Sequence, residues 1–427
     1  MANVIFTNKC NISCPFCFAT ENNLDKGNSE RSDFSIGDTW KVANYLSSKD
    51  FRFCGGEPTQ NSNIVECVDL LLKGKYNILI MTNGIWENNF LEYIKTLPLQ
   101  YLNKVGYLFN ILHPSFYTDV QLIQIMSTLS IVNPLNATLG MTIYKKDFEY
   151  QYLIDLAKKF KIGKIRWSVT APNISSGEYQ MEKHFSEISD RIFNFLMATK
   201  KEGINTHCDC GFVPPCFYDK NKLVELNLQL SEPMKFQCKG SAVDIDVHGN
   251  AWRCYGLFSV LKTNVDNFKN ETELRNYFTR RVKILDNIYP YSACKNCNYW
   301  QASCNGGCYA IRVKKVLQEK KDVVLFPIDN EHAIFDCMPH KVKNVQIKER
   351  DRNSYILSKG KVISHPDENK IAYLKEIDGT KTVRDLIELW KGNFSSYQNA
   401  EKDVVEMTRL LFDADMIEIK YDYGVNL

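Results

Sequence analysis

Lys9-Cys10-Asn11-Ile12-Ser13-Cys14-Pro15-Phe16-Cys17-Phe18 holds three cysteines in a C-x₃-C-x₂-C triplet, with an aromatic residue directly before the third. Three thiolates this close can fold around one corner of an iron–sulfur cubane. The triplet lacks a fourth cysteine, which leaves one iron without a protein ligand and open to chemistry. Closely spaced cysteines also hold zinc, but a structural zinc needs a fourth ligand, and His113 is distant in sequence. The run Val4-Ile5-Phe6-Thr7 ends just before the first cysteine and reads as a short strand. Folds of the α/β class place active sites beyond the C-terminal ends of their strands.

A polar, loop-like stretch runs from Glu21 to Ser35. Beyond it Ile36, Trp40 and Ala43 fall at i, i+4 and i+7, which predicts a helix packing that face on a sheet. Phe51-Arg52-Phe53 reads as the second strand and runs straight into Cys54-Gly55-Gly56-Glu57-Pro58-Thr59. Two adjacent glycines let the backbone approach a ligand closely, and Cys54 reads as an extra, buried thiol. The alternation then repeats. Helices near Ile64 to Leu72, Phe90 to Leu97, Val120 to Leu129 and Tyr150 to Phe160 separate strands at Asn77 to Met81, Tyr107 to Ile111, Ala137 to Ile143 and Ile165 to Val169. A last helix, about Phe185 to Lys200, closes the region. Six strands alternating with helices imply a parallel sheet. His113 sits at a strand end as a polar candidate for the site, although it reads more simply as a loop histidine, and Arg166 and Ser168 on the sixth strand are further polar candidates.

The pattern C-x₃-C-x-aromatic-C near an N-terminal strand, with Gly55-Gly56-Glu57-Pro58 about 40 residues on, resembles the signature of the radical S-adenosylmethionine (SAM) family. The resemblance implies that Cys10, Cys14 and Cys17 hold a [4Fe–4S] cluster whose fourth iron takes the amino and carboxylate groups of SAM. It implies that the reduced cluster splits the sulfonium into methionine and a 5′-deoxyadenosyl radical, which abstracts a hydrogen atom. It further implies that Gly55, Gly56, Glu57 and Pro58 hold the SAM amino group, with Glu57 as its polar partner. Asn83, in Thr82-Asn83-Gly84 after the third strand, matches another cofactor-binding position of the family. The implied fold is α/β, a partial (β/α)₆ barrel, since six units fall short of the eight that close a barrel. The hard chemistry then belongs to the cofactors, and the chain positions and shields them.

At 427 residues the chain is long enough for two or three domains. A hydrophobic share of 44% supports ordinary cores, and a formal charge of +3 gives no reason to expect nucleic-acid binding. The start, Met1 to Thr7, lacks the basic segment and long apolar run of a signal peptide. No stretch approaches the roughly 18 uncharged apolar residues of a membrane span. Fifteen cysteines, an odd number in a long chain, argue against a disulfide scaffold and for metal sites. That chemistry predicts a reducing, cytoplasmic setting.

Ten of these cysteines crowd the middle of the chain: Cys208, Cys210, Cys216, Cys238, Cys254, Cys294, Cys297, Cys304, Cys308 and Cys337. Val243-Asp244-Ile245-Asp246-Val247 alternates as a hairpin strand, and the turn His248-Gly249-Asn250 brings the chain back to Cys254. The order Cys238, Gly249, Cys254, then Cys294-x₂-Cys297-x₆-Cys304-x₃-Cys308, then Cys337 resembles the SPASM extension of peptide-modifying radical SAM enzymes. It departs from that pattern by one residue, since six positions rather than five separate Cys297 from Cys304. The resemblance implies two auxiliary [4Fe–4S] clusters. One takes Cys294, Cys297, Cys304 and Cys337. The other takes Cys238, Cys254 and Cys308 with an upstream cysteine, for which Cys216 is preferred over its rivals Cys210 and Cys208. An open coordination site that meets the substrate is the alternative, and structural zinc is the rival metal. Auxiliary clusters can carry away an electron after hydrogen abstraction and can brace a segment with few long apolar runs.

Beyond Cys337 the texture changes. Tyr355-Ile356-Leu357, Ser358-Lys359-Gly360 and Lys361-Val362-Ile363 read as a β-hairpin. Ile371, Leu374 and Ile377 form a helical stripe, and Thr382 with Asp385 forms a capping box for a helix carrying Val383, Leu386, Ile387 and Trp390. Val404, Met407, Thr408 and Leu411 mark a third helix, and Ile417 to Tyr421 a closing strand. This is a winged-helix-like α+β arrangement. Arg384 is offset by Asp385 and Glu388 on the supposed recognition helix, which is poor for phosphate contacts. The stretch Ile371 to Tyr421 resembles the small peptide-recognition domain of the pyrroloquinoline quinone biosynthesis chaperone. Such domains hold the leader of a ribosomally made peptide by adding it as a strand to an exposed edge.

The expected layout is a radical SAM partial barrel over 1–205, a SPASM auxiliary-cluster domain over 206–345 and a winged-helix-like leader-recognition domain over 350–427. The expected function is a radical SAM maturase that abstracts hydrogen from a precursor peptide with a leader and installs a thioether or carbon–carbon crosslink. It would draw electrons from a flavodoxin- or ferredoxin-like donor. An anaerobic sulfatase-maturing, formylglycine-generating enzyme is the alternative within the enzymes. A non-catalytic iron–sulfur peptide carrier is the alternative outside them, although a carrier has no reason to keep a SAM pocket. No catalytic acid or base stands out.

Overall fold

A computed structural model describes residues 2–17, 32–172, 174, 181–230, 234, 236–238, 243–350, 353–358, 361–364, 366, 368–393 and 397–424. Phe18, most of the polar stretch from Glu21 to Ser35, and the hairpin turn at Lys359 and Gly360 lie outside the described residues. The chain forms two compact units, one of 1–274 with 296–314 and one of 275–295 with 315–427.

The first unit is built on a ten-stranded sheet in the order β10-β9-β8-β1-β2-β3-β4-β5-β6-β7. The strands are β1 (Ala2–Thr7), β2 (Asp50–Gly55), β3 (Asn77–Thr82), β4 (Val105–Asn110), β5 (Ala137–Ile143), β6 (Lys164–Val169), β7 (Asn205–Cys208), β8 (Val243–Ile245), β9 (Asn250–Trp252) and β10 (Lys262–Asn264). From β1 to β7 every neighbouring pair is parallel. Parallel neighbours need crossovers, and helices supply them: α1 (Ile36–Tyr45), α2 (Ile64–Lys73), α3 (Asn88–Thr96), α4 (Asp119–Ile131), α5 (Gln151–Lys159) and α6 (Phe185–Lys201). The chain is thus an α/β protein whose large, mostly parallel sheet follows the expected strand–helix alternation.

Three features differ from the sequence reading. A seventh parallel strand, β7, extends the sheet beyond β6; its Asn-Thr-His-Cys carries no apolar run to announce it. The hairpin of β8 and β9 has the expected turn, but β8 also joins β1 in parallel, with Asn3 opposite Asp244. The expected boundary at 205 therefore falls inside one sheet. Finally, α1 buries Thr39 and Ala43 and leaves Ile36 and Trp40 about 40% exposed. Ala43 is buried as the apolar pattern suggested, but Thr39 takes the inward place expected of Trp40 and is accommodated by hydrogen bonds from its hydroxyl to Ser35 O and Cys67 Sγ.

Aromatic packing fills the space beneath the sheet's first strands. Phe6 meets Phe53 edge-on at 4.6 Å, and Trp86 packs on Phe90, Tyr107 and Phe109. Each such pair adds about 1 kcal/mol to the gain from burying the rings.

In the second unit, β12 (Gln346–Arg350), β13 (Asn353–Ser358) and β14 (Lys361–Ser364) form an antiparallel sheet in that order, with β12 added to the expected hairpin. Three helices follow, α10 (Glu368–Glu376), α11 (Val383–Trp390) and α12 (Tyr397–Asp413); α7, α8 and α9 are Lys220–Gln229, Glu271–Ile284 and Tyr309–Glu319. The Thr382–Asp385 capping box is present in both directions. The closing strand β15 (Ile417–Lys420) pairs antiparallel with β11 (Met338–Lys341), directly after Cys337, and not with the hairpin. No helix among the described residues is long and apolar enough to cross a membrane.

Candidate active site

The C-terminal ends of the parallel strands gather the chemistry. Cys10, Cys14 and Cys17 follow β1, Gly55 ends β2, Asn83 follows β3, His113 follows β4, Tyr144 follows β5 and Cys208 ends β7. Burial raises the Cys10 thiol, with Glu57 and Cys17 adding to the shift. Burial also lifts Cys14 to about 12, with Cys17 and Cys10 adding to it. The three are therefore electrostatic neighbours. They do not converge on one point: among the described residues, no three His, Cys, Asp or Glu side chains gather closely enough for a single ion. A cubane takes each thiolate on a separate iron, so it does not require the convergence that a single ion does. Thiols raised in this way stay protonated at neutral pH until a metal displaces the proton.

The two glycines have a mechanical reason to be glycine. Gly56 N donates to Thr7 O at 2.8 Å and Glu57 N to Lys9 O at 2.8 Å. The cysteine loop thus continues the pairing of β1 with β2 beyond a register shift between Ile5 and Thr7. A Cβ on Gly55 would lie 2.4 Å from Thr7 O, and one on Gly56 2.0 Å from Lys9 O. Gly55 also has φ +124°, a left-handed conformation that side chains resist. The close approach inferred from the sequence is therefore, in the first place, to the backbone that carries the cysteines.

Glu57 is fully buried. Its carboxylate accepts from Thr82 Oγ1 (2.9 Å to each oxygen), Asn83 N (2.8 Å), Thr59 N (3.3 Å) and Thr59 Oγ1 (3.0 Å). Burial pushes its carboxyl up to about 7, against the pull of these hydrogen bonds. Pro58, also buried, opens the short 3₁₀ turn that follows. Glu57 so ties the end of β2 to the end of β3. Asn83 Nδ2 donates to Asn11 Oδ1 at 2.7 Å and lies 3.9 Å from Cys10 Sγ, while Asn11 Nδ2 donates to Ile85 O at 2.8 Å. Asn11 was not singled out by sequence; its place inside the cysteine triplet was the available signal.

Beside the loop lies an open recess lined by Phe16, His113, Tyr144, Lys145, Glu149 and Tyr152 among others. His113 Nε2 is 3.2 Å from Glu149, and its Nδ1 is 2.7 Å from Ser115 Oγ. Arg166 pairs with Asp209, and Ser168 stands opposite Thr142 in the sheet. Cys54 is pushed up to about 12 by burial first and by Asp244 second.

A second group of cysteines lies in the same unit. Phe236 bridges to Cys304, Asn305 N donates to Phe236 O at 3.2 Å, and Cys238 N donates to Asn305 Oδ1 at 3.1 Å. These bonds fasten Cys238 to the turn that ends in Cys308, while Cys254 follows β9. Burial lifts Cys308 to about 12, with Cys254 and Cys238 adding to the shift, so these three sulfurs are neighbours. Cys308 in turn acts on Cys210, whose thiol is raised mainly by burial. Cys210 is nevertheless an exposed residue. Cys216 is exposed on the turn Pro215–Phe217. Of the other expected set, Cys297 and Cys304 belong to the first unit and Cys294 and Cys337 to the second.

Residues 4–108 match the family model described as the radical SAM superfamily. Over 103 residues the chain is 33% identical to 7,8-dihydro-6-hydroxymethylpterin dimethyltransferase of Methanocaldococcus jannaschii, covering 23% of this chain and 19% of that protein. Over 114 residues it is 33% identical to a probable GTP 3′,8-cyclase of Methanothermobacter marburgensis, covering 26% of this chain and 35% of that protein. The match thus spans well under half the length of either relative. Among solved structures, Streptococcus suis SuiB bound to S-adenosylmethionine has a TM-score of 0.53 at 16% identity, over 75% of this chain and 74% of that one. SuiB bound to precursor peptide SuiA gives 0.52 at 16% identity, over 75% and 73%. At that identity the likeness concerns the fold. The cysteine loop, the paired glycines and the matched segment agree, and residues 4–108 of this chain are similar to the radical SAM superfamily.

Proposed function

We propose that this protein is a radical SAM maturase that acts on a ribosomally made precursor peptide and installs a crosslink in it. The observation that carries the reading is the backbone pairing of Thr7 and Lys9, which lead into the Cys10–Cys17 loop, with Gly56 and Glu57, at the C-terminal edge of a parallel sheet. When bound there, a [4Fe–4S] cluster with SAM would supply one-electron cleavage of the sulfonium and, from it, hydrogen-atom abstraction. Cys10, Cys14 and Cys17 would hold the cluster. Gly55, Gly56, Glu57 and Pro58 shape the turn offered to the SAM amino group, and Asn83 fixes the loop through Asn11. Phe16 and Tyr144, tilted against each other at 4.9 Å, form an aromatic wall of the adjoining recess.

Peptide substrate and auxiliary clusters are part of the same proposal. The fold shared with SuiB, a protein crystallised with a precursor peptide, supports it. So does the neighbouring trio of Cys238, Cys254 and Cys308. Cys294, Cys297, Cys304 and Cys337 are proposed for the second auxiliary cluster on the resemblance alone. In the second unit, β12 and β14 are the edges of a three-stranded sheet, and Val362 on β14 is 56% exposed. An open edge can accept a leader as a further strand. A flavodoxin- or ferredoxin-like donor is proposed as the source of electrons.

Mass spectrometry of a candidate precursor peptide tests the reading. The peptide is incubated with anaerobically reconstituted protein, SAM and a reductant. Loss of two hydrogens per crosslink, with formation of 5′-deoxyadenosine, is expected. 5′-Deoxyadenosine with an unchanged peptide would sink the peptide as substrate. Absence of both would sink the radical SAM activity.

A further inference from the structure

A buried cation sits among the auxiliary cysteines. Arg253 is 5% exposed, and its Nη1 and Nη2 each lie 3.7 Å from Cys238 Sγ. The guanidinium also stands over the Tyr309 ring, 5.3 Å from its centroid. The same ring carries Arg312 at 4.5 Å, and Arg312 is itself fully buried. Among the described residues, the hydrogen-bonding partner of Arg253 is a sulfur and not a carboxylate.

Arginine does not shed its proton in a protein, and a buried charge without a counter-charge is heavily penalised. A neutral thiol is only a weak acceptor and cannot balance a guanidinium. Thiolates can, and they persist in a buried site at neutral pH when a metal holds them. The charge of Arg253 and the clustering of Cys238, Cys254 and Cys308 therefore call for the same thing, an anionic metal–thiolate centre.

We propose that Arg253 is the counter-charge and sulfur hydrogen-bond donor of an auxiliary iron–sulfur cluster held by Cys238, Cys254 and Cys308, and that it raises that cluster's reduction potential. This inference rests on the auxiliary-cluster reading above. A thiolate-ligated cluster is anionic and becomes more so on taking up an electron, so a cation against a ligand sulfur favours the reduced form. Charge and hydrogen bonds to sulfur are among the determinants of such potentials. Tyr309 holds the guanidinium over its face by a cation–π contact and limits its swing. Lysine at 253 would keep the charge but not the two-pronged donor.

The test uses full-length protein reconstituted anaerobically with iron and sulfide, in a C10A/C14A/C17A background that removes the first cluster's signal. Iron is counted, and midpoint potentials are read by redox titration with electron paramagnetic resonance. Removing Cys238, Cys254 and Cys308 together should cost one cluster's iron; full iron in that variant means that the auxiliary-cluster reading itself has failed. In R253M at full iron, one midpoint potential should shift to a more negative value, with R253K between R253M and the parent. Unchanged potentials in R253M at full iron overturn the proposal. If R253M does not load, loading restored in R253K supports the charge, whereas loss of iron from both variants overturns it.

Discussion

Asn83 reaches from the end of β3 into the cysteine triplet and donates from Nδ2 to Asn11 Oδ1 at 2.7 Å, while its Oδ1 accepts from Ile85 N at 2.8 Å. Asn11 returns a bond to Ile85 O. Two asparagines therefore lock the loop between Cys10 and Cys14 to the neighbouring strand. An N83D variant keeps the acceptor for Ile85 N and removes the donor to Asn11. Loss of one or two hydrogen bonds at about 1 kcal/mol each loosens the loop by roughly tenfold in equilibrium terms. We expect N83D to retain its secondary structure by circular dichroism and to lose iron to a chelator about tenfold faster than the parent. An equal rate would show that the pin is dispensable.

The pairing of Gly56 with the cysteine loop makes a sharper claim. Alanine at 56 would place Cβ 2.0 Å from Lys9 O, a backbone atom that cannot turn away. We expect G56A to be destabilised by on the order of 3 kcal/mol and to bind SAM weakly. Gly163, whose added Cβ would meet nothing within 4 Å, is the control, and G163A should stay within about 0.5 kcal/mol of the parent. Similar melting temperatures for G56A and G163A would mean that the loop can yield.

These two cases show what the sequence could and could not convey. Strand–helix alternation from β1 to β6 was readable because each strand is an apolar run and each crossover an amphipathic stripe. β7 and β12 were not, since Asn-Thr-His-Cys and Gln-Ile-Lys-Glu-Arg offer too little apolar pattern to stand out. On α1 the expected Ala43 is buried, but hydrophobicity points to Trp40 where the helix buries the smaller Thr39, which is what a helix close to a sheet can accommodate. Spacing showed that Gly55 and Gly56 allow a close approach. It could not show that the approaching atoms are Thr7 O and Lys9 O, because that is set by the register of β1 on β2. Arg253 escaped notice for the same reason: its partner, Cys238, is fifteen positions away and reaches it through tertiary contacts.

Burial of Glu57 predicts a pH dependence. Its carboxyl is raised to about 7 from an ordinary 4.5, so between those values the folded protein holds a proton that the unfolded chain has lost. Stability from this group is then fully present below about pH 4.5 and declines as pH rises through about 7. The shift corresponds to on the order of 3 kcal/mol. An E57Q variant carries no titrating group here, and its unfolding free energy in urea should lack this decline relative to the parent. Parallel pH profiles for the two proteins would show that Glu57 is ionised throughout.

The upstream ligand of the Cys238, Cys254 and Cys308 set can be decided between two cysteines. Both are exposed, Cys216 on the Pro215–Phe217 turn, but Cys210 lies within electrostatic reach of Cys308. A cubane needs its fourth thiolate on the same side as the other three, and the proximity to Cys308 favours Cys210. Its backbone is already fixed for the role, since Val169 N donates to Cys210 O at 3.2 Å and Gly211, with φ +66°, turns the chain where a Cβ would strike Val169 O. In reconstituted protein, C210A should lower the bound iron or alter the resonance signal of one auxiliary cluster, and C216A should leave both unchanged. The reverse result would return Cys216 to the site and require the 214–217 turn to move. No change in either variant would leave that cluster with three protein ligands and an iron open to the peptide.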